Sequence, residues 1–269
     1  MTNLHTHTFR CKHATGDVPD YIREARKAGI SVLGFSDHVP YPDERWESWR
    51  MFYRELDDYQ SILDESIQTT KEITVLKGLE CEWIPELKGY YEDELLGKRG
   101  FQYLIGAEHW LPYRGEWLNL SEVRTPAHLR AYTDNLIGAM ESGLFTFIAH
   151  PDMFSIGYRE WDENTAACAG ELFAASKSFG IPLEINAYGL RKPKISTPSG
   201  ERHQYPWNKF WSHASRFGIQ VVCNSDAHSP EDVGKGIREC TDIAKGYGME
   251  VRDLSRSIIE GAGLVRSRH

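Results

Sequence analysis

Residues 31–38 read SVLGFSDH. Val32, Leu33 and Phe35 form a short apolar run, and the run ends in an acid and a histidine. Just before it, Tyr21, Ile22, Ala25 and Ala28 recur at helical spacing, which predicts a helix over about 18–29. A helix feeding a continuous apolar strand is the signature of a parallel sheet buried on both faces. The same plan recurs along the chain, in ITVLKGLECE (73–82), FQYLIGAEH (101–109), LFTFIAHPD (144–152), IPLEINA (181–187) and IQVVCNSD (219–226). LHTH (4–7) reads as the first strand. Phe52, Leu56, Tyr59, Leu63 and Ile67 predict a long amphipathic helix over 46–70. Thr125-Pro126 supplies an N-cap and a first-turn proline for another helix. Further helices are expected over 163–179 and 207–217, after the Ser229-Pro230 cap, and through 231–262. A long polar loop is expected up to residue 206. Seven strands with helices between most of them imply a parallel α/β fold. A barrel closed one unit short of eight fits this count, and a doubly wound open sheet remains the other possibility. With no internal repeat or linker, the 269 residues read as a single domain, 1–269.

Composition narrows the function. Hydrophobic residues make up 41% of the chain and charged residues 26%, ordinary values for a globular protein. A formal charge of −8 without any basic run disfavours a nucleic-acid polymer as partner, though a local basic pocket can still hold a phosphate. No secretory signal and no apolar stretch long enough to span a membrane are expected. Cys11, Cys81, Cys168, Cys223 and Cys240 are odd in number and scattered, which fits reduced thiols and a cytoplasmic location.

The chemistry-bearing residues fall at the strand ends. His5 and His7 end the first strand, Asp37-His38 the second and Glu80 the third. His109 ends the fourth and His150 the fifth, and Asp226 and His228 follow the seventh. In parallel α/β folds the C-terminal strand ends share one face, and that face carries the active site. One strand-end histidine is ordinary; repetition at five of seven strand ends is not. His5 and His7, two apart on a strand, point the same way and can grip one ion. Glu80 and Glu82 also share a face, so periodicity alone leaves open which is a ligand. A mixed histidine and carboxylate set suits Zn, Mn or Fe. His128, His203, His213 and His269 read as ordinary. Trp46, Trp49, Trp110, Trp117 and Tyr158 lie near strand-end loops and read first as packing residues.

LHTH, KHATG, SDH, GLECE, EHW, AHPD and SDAH, in that order, resemble the PHP (polymerase and histidinol phosphatase) superfamily. HPDMF and EINAYGLRK resemble segments of its monofunctional histidinol-phosphate phosphatases. The resemblance implies a distorted (β/α)7 TIM-like barrel and a trinuclear centre of divalent transition-metal ions. It places His5, His7, Glu80 and Asp226 on the first metal. Glu80 would bridge to a second, held also by His109 and His150, and His13, His38 and His228 would hold the third. It selects Glu80 as the ligand and leaves Glu82 as a supporting or substrate-facing residue. The implied activity is hydrolysis of L-histidinol phosphate in histidine biosynthesis, with Glu80, Asp226 and His228 in the catalytic set.

Arg191 and Arg159 are the expected phosphate-binding residues, because a planar guanidinium matches two phosphate oxygens. Asn186 is expected to position substrate. Asp152 is expected to be either a general acid or a partner orienting a ligand histidine. The expected partner is a small phosphorylated substrate, and the protein itself a monomer or small homo-oligomer. The alternatives are a PHP phosphoesterase or phosphodiesterase acting on nucleotides or short oligonucleotides, a metal-dependent amidohydrolase, or a metal-binding regulatory domain.

Overall fold

The computed structural model describes residues 1–197 and 200–266; His269 lies outside the described residues. The chain divides into two compact units. The first comprises Met1–Ile105, Asn224–Lys235 and Asp253–His269; the second comprises Gly106–Cys223 and Gly236–Arg252.

In the first unit, β1 (Thr2–Asn3), β2 (Val32–Phe35), β3 (Thr74–Glu82) and β4 (Tyr103–Ala107) lie side by side in chain order. β1 runs parallel to β2, and β2 to β3, with Val32 opposite Thr74. Helix α1 (Val18–Lys27) begins at Asp17, which forms a reciprocal capping pair with Asp20, and it carries proline in its first turn. Helix α2 (Leu56–Thr69) follows a single 3-10 turn at Tyr53–Glu55, so the helix expected from residue 46 starts some ten residues late. The reason lies in residues 44–50. Glu44 and Trp46 hold left-handed backbone conformations, φ +56° each, and Arg50 turns into the protein, where it is buried. A right-handed helix excludes the left-handed Trp46.

Tyr103 organises the interior of this unit. Its hydroxyl donates to Leu4 O (2.9 Å) and also approaches Phe35 O (3.2 Å). The ring crosses β3 and β2 where both lack a side chain. A Cβ on Gly78 would stand 2.4 Å from Tyr103 Cζ, and one on Gly34 would stand 2.2 Å from its Oη. The two glycines therefore cut a channel for the ring, and the ring anchors the backbone just ahead of His5.

The second unit opens with an antiparallel hairpin, β5 (Trp110–Tyr113) and β6 (Glu116–Asn119). Its two turn residues, Arg114 and Gly115, both have positive φ (+53° and +83°), as a type I′ turn requires. Arg-Gly is not the usual signal for that turn, and Pro112 obscures the strand, so the sequence reading misses the hairpin. Helix α3 (Pro126–Ser142) starts as expected, with Thr125 accepting from His128 N–H. β7 is only Phe147–Ile148, and α4 (Glu163–Phe179) leads to β8 (Leu183–Asn186). The segment expected as loop contains a helical turn, α5 (Tyr188–Arg191), and a β-ribbon of β9 (Ile195–Thr197) and β10 (Gly200–Arg202). Helix α6 (Asn208–Ala214), β11 (Gln220–Asn224) and α7 (Ile237–Gly246) match expectation, while β12 (Glu250–Val251) falls within the region read as helices. β7, β8, β11 and β12 neighbour one another in that order, with parallel pairs β7–β8 and β11–β12. Six of the seven expected strands coincide with observed ones; the first lies at Thr2–Asn3, just ahead of LHTH, of which only Thr6 makes an isolated bridge, and β12 is unexpected. All five cysteines are buried and free, and among the described residues no helix is long and apolar enough to cross a membrane.

Two tests follow from these contacts. Gly78→Ala should destabilise the protein by about 1–3 kcal/mol in urea unfolding, because the new methyl overlaps a ring that cannot retreat. Gly89→Ala meets only Asp93 Oδ2 at 3.5 Å and should be neutral or slightly stabilising. The second test concerns Asp162, which caps α4 by accepting from Thr165 N–H (2.9 Å) and also accepts from Tyr158 Oη (2.6 Å). Burial works to raise its pKa, but these bonds outweigh burial and hold it at about 2. Its stabilising contribution is thus complete above the unfolded-chain value near 4 and is lost as pH falls through about 2. Asp162→Ala should cost about 1 kcal/mol at neutral pH, with the gap from the parent closing below pH ~4.

Candidate metal centre

Thr6 orients the two histidines beside it. Its hydroxyl donates to Gly34 O (2.8 Å), its backbone N–H donates to Ser36 Oγ (3.2 Å), and it bridges in parallel to Ala227. With Thr6 turned toward β2, alternation sends His5 and His7 to the other side. His7 N–H donates to Ala227 O (2.9 Å), which draws the 226–228 segment alongside. Asn3 tightens the same junction, donating from Nδ2 to Ser225 Oγ (2.7 Å) and Val233 O (2.8 Å).

The result is a buried cluster of four side chains. His5 Nε2 lies 3.1 Å from His7 Nε2, 3.3 Å from Glu80 Oε1 and 3.5 Å from Asp226 Oδ1. His7 Nε2 lies 3.5 Å from Glu80 Oε2 and 3.2 Å from Asp226 Oδ1. A cation held tetrahedrally by bonds of about 2.0–2.1 Å has ligands about 3.3–3.4 Å apart. The observed spacings match that edge, and two buried carboxylates facing imidazole nitrogens leave charge that a cation would satisfy. The donor set therefore fits a divalent metal. Burial works to raise the Asp226 pKa, but His5, His7 and His228 outweigh it and hold the carboxyl well below its usual range.

A second cluster adjoins the first within the same unit. His13, His38 and His228 each offer a ring nitrogen, all within 4.8 Å of one another. His13 Nδ1 donates to Cys11 O (2.7 Å) and His228 Nδ1 donates to Asp226 O (3.1 Å). Each bond fixes the tautomer that leaves Nε2 with its lone pair. Burial and the neighbouring His7 push His228 well below the usual histidine range despite the opposing effect of Asp226, which keeps its ring neutral. His38 Nδ1 stands 2.9 Å from Glu80 Oε2, linking the clusters. His13 is the exposed member, with the half-exposed Trp49 edge-on at 5.6 Å. Asp37 braces the loop between the two clusters, accepting from Thr8 N–H and Thr8 Oγ1, both at 2.8 Å.

In the second unit the rings of His109 and His150 meet edge to face, centroids 5.0 Å apart. His150 has φ +29°, a conformation rare for a side-chain-bearing residue, and its N–H donates to Glu184 Oε2 (3.2 Å). Asp226 in the first unit is likewise left-handed, φ +48°. Glu184 is a buried acid that the sequence reading passed over; its place two residues before Asn186, on the same strand face, was the available signal.

The other expected site residues divide. Asn186 is turned into the second unit: its Nδ2 donates to Glu184 Oε2 (2.7 Å) and its Oδ1 accepts from Tyr188 N–H (2.8 Å). Glu82 is buried against Arg50, whose Nη1 and Nη2 donate to its two oxygens at 2.9 Å and 3.0 Å. Asp152 is fully buried, and its Oδ2 accepts from Trp207 N–H (2.6 Å) and Trp211 Nε1 (3.0 Å), which ties it to the start of α6. Burial pushes its pKa up to about 7 against those bonds. Arg191 is half-buried, with Nη1 donating to Ala187 O (3.2 Å) and its guanidinium 5.3 Å from the Tyr188 ring centre. Arg159 is exposed and donates from Nε to Ile156 O (3.1 Å).

With this geometry established, known proteins can be compared. The family model described as PHP domain matches residues 3–188, and the one described as PHP-associated matches residues 208–261. The chain belongs to the PHP family. A protein named "Probable histidinol-phosphatase" from Deinococcus radiodurans is 33% identical over 259 residues, covering 90% of this chain and 95% of its own. One of the same name from Thermotoga maritima is 24% identical over 255 residues, covering 93% and 94%. Among solved structures, the histidinol phosphate phosphatase of Lactococcus lactis, in complex with zinc, L-histidinol and phosphate, matches with a TM-score of 0.70 at 15% identity, covering 93% of this chain and 94% of that one. That likeness is one of fold. It agrees with the α/β PHP architecture expected from the strand ends.

The bonds of Asp152 to Trp207 and Trp211 give it a further role beside the two expected ones, anchoring the start of α6. Asp152→Asn keeps an oxygen for Trp207 and Trp211, so it should retain folding stability and activity if the residue only anchors α6. Asp152→Ala should lose about 1–3 kcal/mol by leaving those N–H groups unmet. A stable Asp152→Asn protein with kcat reduced by about a hundredfold would instead reinstate the general acid.

Proposed function

We propose that this PHP domain is a metal-dependent phosphomonoesterase that converts L-histidinol phosphate to L-histidinol and phosphate. The observation that carries the reading is the buried His5, His7, Glu80 and Asp226 cluster, whose atoms are spaced as ligands of one cation. The 33% identical relative named for this activity supports the substrate. The proposed ligands are that cluster, the trio His13, His38 and His228, and the pair His109 and His150, for three ions of the Zn, Mn or Fe kind. The catalytic unit we propose is the whole chain, 1–269.

Divalent cations, when bound, supply Lewis-acid charge that offsets phosphate charge and acidifies water. The chain's own residues do the rest. Glu80 and Asp226 concentrate negative charge in a dry site where a cation is held strongly. His228, its Nδ1 proton committed to Asp226 O, keeps Nε2 as a lone-pair donor. Arg191 and Arg159 are the proposed anchors for outer phosphate oxygens; Arg191 is the stronger, because its guanidinium is already ordered by Ala187 and Tyr188. The net charge of −8 and five buried thiols favour a small-molecule substrate and a cytoplasmic location, with the protein a monomer or small homo-oligomer.

The test is kcat/KM for L-histidinol phosphate beside p-nitrophenyl phosphate, a nucleoside monophosphate and a dinucleotide, on Zn- and Mn-reconstituted protein. A preference of about a thousandfold for histidinol phosphate, ~4 kcal/mol in the transition state, is expected. A flat or nucleotide-favouring profile would discard the substrate while keeping the phosphoesterase. His5→Ala should lose both bound metal, by elemental analysis, and activity; full metal content in that variant would dismantle the site.

A further inference from the structure

Arg50 is an arginine with 2% of its surface exposed, in a segment whose sequence reads as part of an amphipathic helix. Its bonds run to two places. Nη1 donates to Val39 O (2.9 Å) and to Glu82 Oε2 (2.9 Å), and Nη2 donates to Glu82 Oε1 (3.0 Å). The rings of Tyr41 and Trp46 lie 5.1 Å and 4.9 Å from its guanidinium carbon, and Tyr41 Oη also donates to Glu82 Oε2 (3.0 Å). The pair is dry, forked and enclosed, so its geometry is fixed more firmly than that of any surface ion pair.

What it fixes is the junction of two proposed metal ligands. Val39 follows His38 directly, and Glu82 lies two residues past Glu80 on the same face of β3. Between them, Val39 N–H donates to Glu80 O (2.8 Å), Glu80 N–H donates to Asp37 O (3.1 Å), and His38 bridges in parallel to Glu80. Arg50 fastens this short ladder at its open end. It also occupies both oxygens of Glu82, a carboxylate that would otherwise face the same side as Glu80 as a competing ligand.

We propose that Arg50 is a positioning residue for the metal centre: by clamping Val39 and Glu82 it sets the separation of His38 and Glu80 and withholds Glu82 from the cations. The inference rests on the reading of His38 and Glu80 as ligands. It extends that reading to a residue that lies on no strand end.

The test uses full-length protein, with zinc affinity of the metal-free form measured by chelator competition, together with melting temperature, kcat and KM. Arg50→Lys keeps the charge and loses the fork. It should fold, bind zinc about tenfold or more weakly, and lose kcat with KM little changed. The double variant R50M/E82L replaces the whole buried pair with apolar groups of similar bulk, a change that often leaves folding stability intact. A purely structural pair predicts that this double variant recovers melting temperature, zinc affinity and kcat together. A positioning role predicts recovery of melting temperature alone. Parent-like zinc affinity and kcat in a folded R50M/E82L, or in Arg50→Lys if the double variant does not fold, would overturn the proposal. A parent protein that binds no zinc at all would instead overturn the metal-site reading on which it rests.

Discussion

Burying Glu80 and Asp226 against His5 and His7 is the constraint around which the first unit is built. Carboxylates in a dry interior are costly unless something answers their charge. Here imidazole nitrogens converge on them at 3.2–3.5 Å, at the spacing of ligands around a single ion. Most of the surrounding contacts hold that convergence. Tyr103 fixes the backbone before His5, Asn3 fastens β1 to the 224–233 segment, Asp37 pins the turn after His7, and the Arg50–Glu82 pair closes the end of β3. The site is a consequence of strand ends being locked to one another, with little left to loop motion.

Much of this was legible in the sequence because it is carried by local rules. Continuous apolar runs ending in His, Asp or Glu gave the strands. Asp17, Thr125 and Asp162 stand where their helices begin, each preceding a helical pattern that a side-chain oxygen can cap. His5 and His7 share a direction because strand side chains alternate. None of these inferences needs knowledge of a distant residue.

Part of what the sequence does not reveal depends on partners far away in the chain. Periodicity puts Glu80 and Glu82 on one face, but only the fold reveals that Arg50, thirty-two residues from Glu82, claims the second. The helix expected from 46 fails because Trp46 turns left-handed. Asp152 is bonded to Trp207 and Trp211, fifty-five and fifty-nine residues further on, which no local pattern reveals. The 110–119 hairpin was hidden by Pro112 and by an Arg-Gly turn, which reaches positive φ without the usual Asn or Asp.

The left-handed backbone at Asp226 narrows the set of residues that this position can carry. At φ +48° the residues most at ease are glycine, asparagine and aspartate. Bend and charge are separable here: asparagine would keep the first and lose the second, and glutamate would keep the charge but fit the bend poorly. Because, against burial, His5, His7 and His228 hold the carboxyl well below its usual range, the charge itself favours the folded chain at neutral pH, so aspartate answers the backbone and the electrostatics together.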